Sequence, residues 1–276
     1  MVLVWTYLLA HGGKKRRPKG DEDEDEDEEE EGGEGGGAQK GGSQEEEEEE
    51  GPAVALEFVE SHTELVDKLV RGYKQKDVAQ NSGLMLRECL RSPKLVSHTL
   101  QFSNLDIIMG GCDLQNFDTA SDAFLTLKDL LKQHPTVAAE FLMTNFDDFF
   151  KRFDLLLNSD NYVTRRQAIK LLGELLLDRA NMQVMMRYSG EAHNFKIMMT
   201  LIKDPSRAIQ YEAFHVFKIF VANPRKPEKI VKLLARNKEK VKFLNDFEID
   251  KEEEDFEEEK EMLIREIQNA HYPGLG

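Results

Sequence analysis

The chain has 276 residues, of which 40% are hydrophobic and 33% charged, enough to fill the core of one large domain or of an elongated array. Its formal net charge of −16 divides unevenly: residues 1–50 hold 18 Asp/Glu against 6 Lys/Arg, residues 246–262 hold 11 against 2, and the body 51–245 holds 23 against 28. The mildly basic body suits an acidic protein surface and lacks the dense basic stripe of nucleic-acid binding, the two cysteines (Cys89, Cys112) exclude a disulfide scaffold, and no apolar run is long enough to span a bilayer.

At the N-terminus, the apolar stretch Val2–Ala10 is followed, not preceded, by the basic cluster Lys14-Lys15-Arg16-Arg17, the reverse of a secretory signal, so a cytoplasmic location is expected. From Asp21 to Glu50 the chain is Asp/Glu runs broken by glycine clusters, with nothing apolar to offset the entropy of ordering. The alternation at Asp21–Glu30 is not a calcium loop, because it lacks the turn glycine at the sixth position and the fixed glutamate at the twelfth. Residues 1–55 are therefore expected to be a disordered, low-complexity acidic and Gly-rich tail. The Lys14–Lys19 cluster reads as one end of that tail or as a localisation signal.

From Leu56 onward, apolar residues recur at helical spacing, and one helix type returns four times. Ala168-Ile169-Lys170-Leu171-Leu172 with Leu175-Leu176 repeats 45 residues later as Ala213-Phe214-His215-Val216-Phe217 with Phe220-Val221. It also occurs 45 residues earlier as Ala123-Phe124-Leu125-Thr126-Leu127 with Leu130-Leu131, and 41 residues before that as Ser82-Gly83-Leu84-Met85-Leu86 with Cys89-Leu90. A small residue followed by residues at i+1, i+4, i+7 and i+8 forms one apolar face that admits a close neighbour. Further helical stretches, Phe146–Leu157 and Phe195–Ile202, lie between copies, and Pro93, Pro135, Pro205 and Pro224 fall between helical runs. This period, with two or three helices per unit, predicts an all-α, armadillo/HEAT-like right-handed solenoid over residues 56–276. The acidic run Asp246–Glu261 reads as a solvated linker before a last helix, Met262–Gln268.

Catalytic chemistry has no foothold in this pattern. No glycine loop precedes a helix, and His62, His98, His134, His193 and His215 are scattered one per helix or turn. His215, inside the repeated apolar helix, reads as a packing histidine. No enzyme activity, metal or cofactor is expected. Candidate binding residues are basic edges instead: Lys196, Met199 and Lys203 at i, i+3, i+7, opposite Ile197 and Leu201; Arg236 and Lys240 at i, i+4; and Arg165-Arg166 with Arg179 around the third repeat helix. From spacing alone, Met199 reads either as core with a lysine rim or as the apolar floor of a site for an acidic partner.

The segments Gly83-Leu84-Met85-Leu86-Arg87-Glu88-Cys89, Phe117-Asp118-Thr119-Ala120-Ser121-Asp122-Ala123-Phe124, Asn161-Tyr162-Val163-Thr164-Arg165-Arg166-Gln167 and Ala213–Pro224 closely resemble the Mo-twenty-five family, also called calcium-binding protein thirty-nine. The resemblance runs from about Phe58 to the C-terminus. It implies an armadillo-like scaffold that binds and activates protein kinases. The partners implied are a STRAD-type pseudokinase with the master kinase upstream of AMP-activated kinase, germinal-centre kinases, or NDR-type kinases in polarity. It also implies a C-terminal pocket for a Trp-Glu-Phe tail, with Met199 as the pocket methionine, Lys196 beside it and Arg236 and Lys240 as further basic positions; Lys203 joins them by its place on the stripe. Concave positions that meet kinases match Phe117, Tyr162, Arg166 and Arg179, and Met182 stands where the family has phenylalanine. The expected state is a monomer within a hetero-complex, with neither nucleic acid nor membrane as partner.

The family's N-terminal repeats have no counterpart in this reading, and the acidic tail stands in their place. The first 55 or so residues are accordingly expected to come from a mistaken gene model, the alternative being a truncated paralogue. Outside the resemblance, a second class remains open, an armadillo-type cargo or transport adaptor. Such adaptors usually carry inward Trp/Asn arrays, and Trp5 is the chain's only tryptophan.

Overall fold

A computed structural model describes residues 54–238 and 254–270. Among these residues the secondary structure is helical throughout, and no helix is long and apolar enough to cross a membrane. The helices group in threes. The first unit holds α1 over 54–61, α2 over Glu64–Gly72 and α3 over Ala79–Cys89; the second holds α4 over Pro93–Thr99, α5 over Phe102–Cys112 and α6 over Phe117–Lys132. The third unit holds α7 over Pro135–Thr144, α8 over Phe146–Leu157 and α9 over Tyr162–Leu176. The fourth holds a 3₁₀ turn at Arg179–Asn181 running into α10 over Met182–Tyr188, then α11 over Ala192–Leu201 and α12 over Arg207–Ala222. Two helices follow, α13 over Glu228–Arg236 and α14 over Glu254–Asn269.

The boundaries have local chemical causes. Ser92, Asn116, Asn161 and Asp178 each turn a side-chain oxygen back to a backbone N–H of the next turn, filling an otherwise unpaired donor. Pro93 and Pro135 sit in the first turn of α4 and α7, where no N–H is needed. Asn223 ends α12 just before Pro224.

The four recurring segments of the sequence are α3, α6, α9 and α12, and they pack side by side in that order. Their shared apolar positions are buried: Leu86 and Leu90 in α3 and the turn after it, Leu127 and Leu130 in α6, Ala168, Ile169 and Leu172 in α9, and Ala213, Phe214 and Phe217 in α12. The first helices of successive units (α4, α7, α10) also meet, as do α2, α5 and α8, so the chain is a helical-repeat solenoid. One continuous core runs from Val66 to Ile267. Its centre is aromatic: Tyr188 links Phe150, at 4.9 Å between ring centroids, to Phe220 at 5.8 Å, and Phe195 lies 5.6 Å from Phe220 edge-on.

One repeat position breaks the apolar pattern, and the structure gives the reason. Gly83 occupies the place held by Phe124, Ile169 and Phe214 in the other copies. A Cβ there would collide with the Asp122 carboxylate and the Tyr73 hydroxyl. The space is filled by a polar cluster: Tyr73 donates to Asp122 Oδ2 at 2.7 Å and lies 2.6 Å from Thr126 Oγ1, while Arg87 bonds Asp122 Oδ1 at 2.8 Å and Thr126 Oγ1 at 3.0 Å. Burial and the neighbouring carboxylate hold the Tyr73 hydroxyl well above its usual titration range.

The C-terminal end differs from the sequence expectation. The last helix begins at Glu254, not Met262, so part of the acidic run is helical; residues 246–253 of that run lie outside the described residues. Leu263 and Ile267 of α14 are buried against α12 and α13, Glu259 pairs with the buried Lys218, and Glu266 lies 3.9 Å from Lys226. A carboxylate run that reads as solvated thus packs on the fold through two apolar side chains and sets Glu259 against the buried Lys218.

Two glycine substitutions separate packing from backbone entropy. Gly83→Ala should lower stability by about 1–3 kcal/mol through overpacking. Gly110→Ala, in a helix and with nothing within 4 Å of the added carbon, should raise it by about 0.5–1 kcal/mol; urea unfolding followed by circular dichroism measures both.

Candidate functional site

The described histidines and cysteines have structural surroundings. Cys89 and Cys112 are buried free thiols whose titration is pushed upward by burial, so neither is a ready nucleophile. His98 lies 2.8 Å from Asp67, His193 lies 2.7 Å from Asp154, and His134 bonds the carbonyls of Leu90 and Arg91 at 3.0 Å. His62 bonds the Phe58 carbonyl at 2.9 Å, and His215 packs edge-on against Tyr211 at 4.4 Å, the packing role its place in the repeat implies. No group of three His, Cys, Asp or Glu among the described residues could hold a metal ion.

What the fold offers is surface. Because third helices recur every 45 residues, Phe117, Tyr162 and Arg207 each take the first position of α6, α9 and α12, on one end of adjacent helices. Phe117 is 65% exposed and Tyr162 is 41% exposed, although an aromatic ring gains most from burial. Arg166 is exposed one turn below Tyr162. Its sequence neighbour Arg165 points elsewhere. The Arg165 guanidinium donates to the Ser159 carbonyl at 2.7 Å and lies 3.3 Å from the largely buried Asp204 carboxylate, tying two successive loops together.

Arg179 and Met182 are exposed as well, Met182 at 43%. They lie beyond the opposite end of α9, in the 3₁₀ turn and first residue of α10, which pack on α7. The fifteen residues of α9 put roughly 20 Å between these two and Tyr162 at 1.5 Å per residue. The five concave-surface candidates therefore form two clusters, one at each end of α9.

The second group lies one unit further on. In α11 the buried side is Phe195, Ile197, Met198 and Leu201; Lys196 is exposed and Met199 is half-buried, packed against the rim of the core. Lys203 falls past the end of the helix, in the turn whose N–H bonds the Thr200 carbonyl at 3.1 Å, so the stripe runs off the helix before its third member. Helix α13 packs on α11 and carries Arg236, exposed, in its last turn. Lys240 lies outside the described residues. The structure thus brings Lys196, Met199 and Arg236 onto two adjoining helices. Spacing gave no sign of two other features beside these surfaces: Glu174 bridged by Lys128 at 3.6 Å and by Lys132 at 2.5 Å across α6 and α9, and the extension of the last helix, α14, back from the expected Met262 to Glu254. The lone glycine in the first repeat was the signal available for the Tyr73 cluster.

Comparison with known proteins agrees on one family. The family model described as Mo25-like matches residues 24–271. The degreening-related gene dee76 protein of Auxenochlorella protothecoides is 46% identical over 216 residues, 78% of this chain and 67% of that protein. The calcium-binding protein 39-like protein of Homo sapiens is 43% identical over 216 residues, 78% and 64% of the two chains, and the Mo25-like protein of Schizosaccharomyces pombe is 44% identical over 215 residues, 77% and 65%. The chain therefore spans about two thirds of the length of these relatives, 64–67%.

The two adjacent arginines give a contrast that tests the surface assignment. Arg166→Ala, at an exposed position, should change unfolding free energy by less than about 0.5 kcal/mol. Arg165→Ala should cost about 1–3 kcal/mol by removing the guanidinium from the Asp204 carboxylate, which then keeps the Ser206 N–H, and chemical denaturation of both variants measures the difference.

Proposed function

The chain belongs to the Mo25-like family, and on that premise we propose that it is a non-catalytic scaffold that binds protein serine/threonine kinases in the cytoplasm and activates them. The observation that carries this reading is Met199: a half-buried apolar side chain on α11, beside the exposed Lys196 and next to the helix that ends in Arg236. Such a surface suits a C-terminal peptide of Trp-Glu-Phe type. Aromatic anchors of that kind contribute about 2 kcal/mol or more each when buried. The intervening glutamate and the terminal carboxylate would meet Lys196, Arg236, Lys203 or Lys240.

The exposed Phe117, Tyr162 and Arg166 at one end of the third helices, with Arg179 and Met182 at the other, would hold a kinase domain. Met182 replaces the phenylalanine expected there, which removes a ring and leaves a more adaptable contact. A scaffold of this kind does no chemistry on its partner. It raises activity by preferring the kinase's active conformer, and the gain is bounded by its differential affinity for the two conformers. The partners that fit are a pseudokinase of STRAD type with the master kinase it assists, germinal-centre kinases, or NDR-type kinases.

Titration of a Trp-Glu-Phe C-terminal peptide against the chain should give micromolar binding that weakens as salt rises and disappears in Met199→Ala. Equal affinity in the variant would overturn the pocket assignment. With a responsive kinase added, Tyr162→Ala and Arg166→Ala should lower stimulated activity several-fold while leaving peptide binding unchanged, and calorimetry beside a phosphorylation assay reads the two separately.

A further inference from the structure

The repeat frame exposes an unfilled place in the fold. Position 85 of α3 corresponds to Thr126 in α6, Leu171 in α9 and Val216 in α12; position 78, just before α3, corresponds to Thr119, Thr164 and Ile209. In the three later units these side chains are covered, with exposures of 0%, 4% and 0% for the first set and 3%, 1% and 0% for the second. The cover comes from the preceding unit: Thr126 meets Arg87 of α3 at 3.0 Å, Thr164 donates to the Cys112 carbonyl of α5 at 3.1 Å, and Val216 lies against Gly173 of α9. In the first unit the same two positions are apolar but open, Met85 at 58% and Val78 at 41% exposed. They share one face at i and i+7, a stripe about 10 Å long at 1.5 Å per residue.

We propose that this flank of α3 is a docking face, and that its occupant is the chain's own apolar run Val2–Ala10. The run offers Val2, Trp5 and Leu9 at i, i+3 and i+7, the spacing and length of the stripe it would cover. Residues 11–53, which join it to α1, are largely Gly, Asp and Glu; a flexible linker of that length would span roughly 35 Å and hold the run at about millimolar effective concentration. Docking would restore to the first unit the cover that each later unit receives, and would give the array an N-terminal cap.

Trp5 is the chain's single tryptophan and so reports its own surroundings. In the full-length chain its emission should be blue-shifted, and its quenching by acrylamide several-fold weaker than in concentrated urea. Met85→Lys and Val78→Lys, at exposed positions, should return Trp5 to the urea-like level while leaving the far-ultraviolet circular dichroism unchanged. A tryptophan already fully quenchable in the unmodified chain, or unmoved by both substitutions, overturns the proposal. So does a blue shift that fades on dilution with a halving of mass in light scattering, which would make a second copy the occupant. A mass fingerprint of the native protein that contains no peptide from residues 1–50 overturns it as well.

Discussion

Every layer of this molecule depends on its neighbour. A three-helix unit presents apolar residues on more than one face, and no unit can cover them alone. Val216 illustrates the dependence: it is fully buried, and Gly173 of the previous third helix is among its neighbours. Small residues are thus placed for approach, and the 45-residue recurrence is the sequence trace of helices that must meet the same way each time. Stability in such an array passes from layer to layer, so the ends are where the construction must change.

At each end polar groups enter the packing. Near the N-terminal end, Asp122, Tyr73, Arg87 and Thr126 form a compact cluster where the other units use a large apolar side chain. Each member is satisfied by another, which is the condition under which buried polar groups can be kept. At the C-terminal end, α14 lays Leu263 and Ile267 on the last layer and brings Glu259 to Lys218. There a charged helix does what an apolar repeat does elsewhere.

Most of the fold was legible in the sequence, because its signal is periodic. The four third helices, the Phe146–Leu157 helix and the proline boundaries follow from spacing that any helix must obey. The start of α14 was not legible: Glu254–Glu261 is acidic enough to read as solvated, and the buried Lys218 that Glu259 meets is distant in sequence. The candidate binding residues were named through resemblance rather than through pattern. Periodicity leaves Met199 divided between core and pocket, and its half-buried position has something of both. That Arg166 faces solvent while Arg165 binds Asp204 depends on a loop from the next unit, so two identical neighbours could not be told apart beforehand.

The first positions of α6, α9 and α12 also make a ruler. Packed helices lie about 8–10 Å apart, and Phe117, Tyr162 and Arg207 each mark one of three successive third helices. An extended segment crossing them advances about 3.3 Å per residue and would bring every third side chain to a mark; a helix at 1.5 Å per residue would bring roughly every seventh. A partner that crossed these positions would be gauged by its stride as well as by its composition, and a segment with the right residues but one extra between them would fall out of step.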